Sequence, residues 1–217
     1  MIRVDNIVKY YGEHLALKGI SYTINKGEIV GFLGPNGAGK STMMRIITGY
    51  LPATSGFVYL DDYEIYDNPI ELKRKIGYMP ENISLYTEMT VIDYLKFAAK
   101  LKGISRKHIK SALENTIEIT GLTKYKDRII GHLSKGYKQR TGIAQAIIHD
   151  PEVLILDEPT SGLDPNQLIE VRSLIKSLGG TRTVILSTHI LSEVEDTCER
   201  ALIIDSGELI AEDTIEG

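Results

Sequence analysis

The chain has 217 residues, of which 42% are hydrophobic and 25% charged. That is enough apolar material for one α/β domain with a real core, and too much for a disordered chain. With 25 basic against 29 acidic residues the net charge is −4, which argues against a protein that works by neutralising nucleic-acid phosphates. The single cysteine, Cys198, has no partner for an internal disulfide and suits a reducing compartment, the first residues lack the apolar stretch of a secretory signal, and no run of 18 apolar residues reads as a membrane span.

Residues 27–34 form a short apolar run ending in glycines, as a buried strand entering a turn should. Residues 40–48 have helical content and Gly49 closes them; residues 56–60 alternate as a strand, with Asp61 and Asp62 as its turn. From about 90 to 120 the pattern is helical. Thr90 caps residues 91–98, Gly103 stops them, and Ser105 caps a helix in which Ile109, Ala112, Leu113, Thr116 and Ile117 recur at three- and four-residue spacing. Another helix follows Ser134 to about His149, where Pro151 breaks it. The last third alternates strands (153–157, 183–187, 201–205, 208–211) with helices (166–177, 191–198). That order predicts a mostly parallel sheet, with the central helical block as an insertion between two parts of it.

Gly34-Pro35-Asn36-Gly37-Ala38-Gly39-Lys40-Ser41-Thr42 fits G-x-x-x-x-G-K-[ST] and lies between a predicted strand and a predicted helix, the context this motif requires. The glycines let successive backbone N–H groups converge on phosphate oxygens, and the helix N-terminus adds partial positive charge. Lys40 reaches the β- and γ-phosphates and the Ser41 hydroxyl ligates Mg²⁺. Residues 153–158 are an apolar strand ending in two carboxylates: Asp157, suited to Mg²⁺ contacts through water, and Glu158, suited to orienting or deprotonating an attacking water.

With these two motifs in order, the chain resembles the ATP-binding subunits of ABC transporters over essentially its whole length. The resemblance implies a P-loop ABC-ATPase core with a parallel sheet, an N-terminal antiparallel β-subdomain and an inserted helical subdomain. It implies one domain over 1–217, with about 83–149 as the helical part. Tyr11, before Gly12, looks like the aromatic residue that stacks on adenine, with Tyr10 as the alternative. Ser134, Lys135 and Gly136 occupy the segment similar to the family's Leu-Ser-Gly-Gly-Gln signature. Residues 161–164 look like the D-loop, and His189 looks like the switch histidine. By resemblance the signature acts in trans on ATP held by the partner's phosphate loop, with Asp164 on the dimer seam, in a homodimer or beside a related subunit.

Two departures stand out. Lys135 replaces a signature glycine and Tyr137 the signature glutamine; Lys135 is either a second cation at the γ-phosphate or a solvated side chain. Glu81, in Gly77-Tyr78-Met79-Pro80-Glu81, replaces the glutamine many relatives use to touch Mg²⁺, and a glutamate also ligates a hard cation. The Lys135–Tyr137 signature, the Glu81 form and residues 144–151 together resemble export-type bacterial subunits, above all the gliding-motility-associated ones. The resemblance implies an Mg²⁺-dependent ATPase driving a separate transmembrane permease from the cytoplasmic face of the membrane, with no nucleic-acid partner. The groove around Glu81 and residues 85–101 is then the permease's docking place, with Tyr86 and Tyr94 as contacts or subdomain core. The chain stops at Gly217, just after the last predicted strand, whereas longer relatives continue.

Overall fold

The computed structural model describes residues 1–215. Strands β1 (Ile2–Tyr11) and β2 (His14–Ile24) form a long antiparallel hairpin. Chain order continues with β3 (Ile29–Leu33), α1 (Lys40–Ile47), β4 (Ser55–Leu60), β5 (Tyr63–Glu64), α2 (Pro69–Arg74) and β6 (Ile76–Met79). Helices α3 (Val91–Leu101), α4 (Arg106–Ile119) and α5 (Lys135–Ile147) follow. The last part runs β7 (Val153–Asp157), α6 (Pro165–Leu178), β8 (Thr183–Thr188), α7 (Leu191–Thr197), β9 (Arg200–Asp205) and β10 (Glu208–Thr214).

Two sheets result. One is antiparallel in the order β2-β1-β4-β5; the other has six strands in the order β10-β9-β3-β8-β7-β6. In the second, β9, β3, β8, β7 and β6 are parallel and β10 is an antiparallel edge. The interior strands β7 and β8 are buried at every residue, which explains why they read as apolar runs. One core packs α1 between the sheets through Met43, Met44, Ile46 and Ile47. A second lies on the other face of the six-stranded sheet under α5, α6 and α7. A third joins α3 and α4 through Leu95, Ile109 and Leu113.

Helix α5 belongs to two cores at once. Ile143, Ala146 and Ile147 face the sheet, whereas Ala144 and Ile148 face the helical block, so the block has no clean end at residue 149. Caps are correct in position but not all in chemistry. Thr90 accepts a bond from the Asp93 amide, but Ser105 spends its hydroxyl on His108 Nδ1 (3.0 Å), and the Ser134 hydroxyl makes no cap bond. Helix α2, six residues long, was not expected; Pro69 starts it, and Leu72 is its only buried residue.

Candidate active site

Register brings the site together. In the order β3-β8-β7, Leu33 pairs with Thr188 and Asp157 with Ser187, so three parallel strands end level at their carboxyl edge. Ligands of open α/β sheets bind outside such an edge. From it project the phosphate loop, Asp157 and Glu158, and His189. The loop is tied to β8 by Gly34 N–H donating to the Thr188 carbonyl (3.2 Å). Gly39, at φ 106, turns the chain into α1, and a Cβ there would stand 2.7 Å from Leu17 Cδ2 and 3.0 Å from the Ala16 carbonyl.

The phosphate loop borders a cleft of about 450 Å³ that Tyr11, Glu81 and Glu158 also line. Tyr11 and not Tyr10 faces the cleft, and His14 and Ala16 of β2 join it without any sequence motif to announce them. Lys40 is buried; its Nζ donates to the carbonyls of Gly34 (2.7 Å) and Pro35 (3.1 Å) and lies 3.4 Å from Glu158 Oε1. Ser41 Oγ donates to Asp157 Oδ1 (3.2 Å), and Ser187 Oγ donates to the same oxygen.

Glu158 is 6% exposed and sits in the left-handed region at φ 49, a strained setting for a side chain of its size. Its amide is held by the Ser187 carbonyl (3.1 Å) and hydroxyl (3.2 Å). Its Oε2 meets His189 Nδ1 at 2.9 Å. A carboxylate only accepts, so the proton sits on Nδ1 and leaves Nε2 free. Glu158 Oε1 is buried and has no hydrogen-bond partner. On β6, burial and the Asp157 charge push the Tyr78 phenol up to about 12, so it stays neutral beside the site.

The signature residues lie away from this cleft, at the exposed N-terminus of α5. Gly136 is the exception in burial: its N–H donates to Gln167 Oε1 (3.1 Å), and a Cβ there would come 2.7 Å from the same atom. Lys135 reaches over Gly162, where its amine would collide with any added Cβ. Asp164 caps α6 by accepting from the Gln167 amide (3.0 Å), so Gln167, which no motif singled out, joins the residues expected on the dimer seam to the signature helix. Tyr137 stacks on Tyr125 at 3.8 Å between ring centroids, flanked by Arg128 and Arg140. This packing of the signature helix against the helical block is what the departure from glutamine supplies.

The family model described as ABC transporter matches residues 17–161. The linearmycin resistance ATP-binding protein LnrL of Bacillus subtilis (strain 168) is 41% identical over 97% of this chain and 68% of its own length. The bacitracin transport ATP-binding protein BcrA of Bacillus licheniformis is 40% identical over 98% of this chain and 69% of its own. Among solved structures, a dimeric post-hydrolysis state of the ATP-binding cassette MJ0796, bound to ADP and Pi, superposes with a TM-score of 0.88 at 28% identity, covering 100% of both chains. The chain belongs to the ABC transporter family, as an ATP-binding, ATP-hydrolysing subunit.

Proposed function

We propose that this subunit binds MgATP in the cleft, dimerises head-to-tail around two nucleotides and drives a transmembrane exporter from the cytoplasmic face of the membrane. The observation that carries the proposal is the Lys40–Glu158–His189 constellation at the carboxyl edge of the sheet, with Lys40 and Glu158 buried and His189 open to solvent. Tyr11 offers a ring for the adenine, the backbone N–H groups of residues 37 and 39–42 cradle the phosphates, and Lys40 supplies the buried cation. The donor set fits Mg²⁺, which keeps several waters and takes few protein ligands: the Ser41 hydroxyl touches Asp157, and Glu81 lines the same cleft. When bound, Mg²⁺ neutralises charge developing on the phosphate oxygens. Glu158 Oε1, which has the Lys40 ammonium 3.4 Å away but no hydrogen bond, is the atom that takes the proton of the attacking water, while His189 holds Oε2 through its Nδ1–H.

Because the chain's own signature lies outside its own cleft, the partner's Ser134–Gly136 segment completes the site in trans, and Asp164 and Lys135 fall on the seam. The dimeric cassette MJ0796 supports such a pairing. The partner is a second copy or a related ABC subunit. We treat 1–217 as one ATP-binding domain with about 83–149 inserted; Glu216 and Gly217, together with any continuation of the chain, lie outside the described residues.

A second groove, of about 310 Å³ and mostly apolar, runs between Leu85, Tyr86, Phe97 and Leu101. Tyr86 is 53% exposed there and edge-on to Tyr94 and Phe97, whereas Tyr94 is subdomain core at 4%. This groove suits a short helix of the permease. No helix among the described residues is long and apolar enough to cross a membrane. Export is favoured by the names of the relatives, which are resistance and bacitracin transport proteins. The finer placement with gliding-motility-associated subunits rests on the Lys135–Tyr137 signature, the Glu81 form and the run of residues 144–151. The test is a gentle-detergent pull-down of the Glu158→Gln protein with MgATP from its own cells. A stoichiometric polytopic membrane protein supports the exporter; a ribosomal or DNA-repair complex without one refutes it.

A further inference from the structure

Glu193 lies on α7, outside the cleft and outside every motif, yet it is 1% exposed, as deeply buried as Asp157. A carboxylate held away from water needs donors. Glu193 has two: Thr160 Oγ1 donates to Oε1 (2.6 Å) and Thr188 Oγ1 donates to Oε2 (2.5 Å). The Arg172 guanidinium stands 4.0 Å from Oε1 and is itself anchored by Asp196. Thr188 is fixed further, since its oxygen accepts the Ile190 amide (3.1 Å) and its one proton is committed to Glu193.

The two threonines are not arbitrary. Thr160 follows Glu158 by two residues, and Thr188 immediately precedes His189. The β7–β8 ladder ends at the Asp157–Ser187 pair, so Glu193 cross-links the two segments beyond the last strand pairing. Just there Glu158 holds its left-handed backbone and meets His189. We infer that Glu193 is a positioning residue for ATP hydrolysis: its carboxylate clamps Thr160 and Thr188 so that Glu158 and His189 meet, while touching no substrate itself. The inference rests on the roles proposed above for Glu158 and His189.

The test uses the full chain, with ATP binding and hydrolysis measured separately. A misplacement of about 1 Å far from the chemistry costs ~10²-fold, so Glu193→Ala should lower kcat by about that factor and leave KM for ATP within about 2-fold. Since Glu193 acts through the Glu158–His189 pair, adding His189→Ala should slow the slower single variant by no more than ~3-fold, a non-additive cycle. Multiplying effects, or ATP affinity falling in step with rate, would overturn the inference.

If Glu193→Ala does not fold, the hydroxyls can be removed at constant shape. Thr160→Val and Thr188→Val should each slow hydrolysis about 10-fold, and the serine versions should stay within about 3-fold of wild type, because only they keep the donor. Equal rates for valine and serine refute the clamp. Glu158→Gln, measured alongside, separates the two levels. If it hydrolyses at the wild-type rate, the assignment of the base falls, and the clamp with it. If it is inactive while the Glu193 and threonine variants are normal, only the clamp falls.

Discussion

Acid should weaken the joint between the signature helix and the edge of the parallel sheet, and His149 is where the effect originates. His149 follows α5 by two residues, and its Nε2 lies 3.2 Å from the Ile76 carbonyl of β6. A carbonyl only accepts, so the neutral ring carries its proton on Nε2, and Nδ1 is left buried without a partner. Burial first, and the nearby Lys102 charge second, lower its pKa from 6.5 to about 4. Between those values the unfolded chain binds the proton that the folded one refuses, so stability rises with pH across that window. The contribution is complete above pH 6.5 and is lost as pH falls toward 4. Linkage gives a loss of about 2 kcal/mol by pH 5 and about 3 kcal/mol by pH 4.

The assay is urea unfolding of the wild type and of His149→Gln at pH 7.5, 6, 5 and 4. Glutamine still donates to Ile76 but cannot titrate. The other four histidines are common to both proteins and cancel in the difference. The wild type should lose about 2 kcal/mol more than the variant between pH 7.5 and 5. Parallel pH profiles would refute the reasoning.

Lys40→Ala removes a buried cation and leaves Glu158 without its ion partner. Tight MgATP binding should vanish in fluorescence titrations, and the ATP-free protein should lose about 3 kcal/mol in urea; unchanged affinity would sink the phosphate-loop assignment. Tyr11→Ala should weaken ATP by about 5- to 150-fold, the equivalent of ~1–3 kcal/mol of base stacking, while Tyr11→Phe stays near wild type. Binding of inorganic triphosphate, which has no base, should not respond to either change. Cys198 is 8% exposed, and burial, reinforced by the charges of Glu193 and Glu199, pushes its thiol up to about 12. At pH 8 a disulfide reagent should label the native protein at least ~10²-fold more slowly than the urea-unfolded one; rapid native labelling contradicts the burial.

The residues of the candidate nucleotide site were legible because their motifs are local. Nine consecutive residues carry the phosphate loop, and both carboxylates and His189 sit directly at strand ends, where an apolar run announces them. The hidden parts depend on tertiary contact. Residues 191–197, Leu-Ser-Glu-Val-Glu-Asp-Thr, hold three acids, and nothing in their order tells that Glu193 turns inward while Glu195 and Asp196 stay exposed. Gln167 is one polar residue in an amphipathic helix until α5 packs beside it. Helix α2 was missed because six residues with a single buried side chain show no period. Ser105 and Ser134 have the right residue type and backbone for a cap, but the hydroxyl's partner is decided by its surroundings.

The role proposed for Glu158 Oε1 is to take the proton of the attacking water in a site completed by the partner's signature. It is tested most directly by single-turnover hydrolysis and sizing of Glu158→Gln in MgATP. Loss of a positioned base costs ~10²–10⁴-fold, about 3–5.5 kcal/mol of barrier, with binding intact. The variant should be slow and accumulate as a dimer holding two ATP. A monomer that turns ATP over at the wild-type rate would contradict that role.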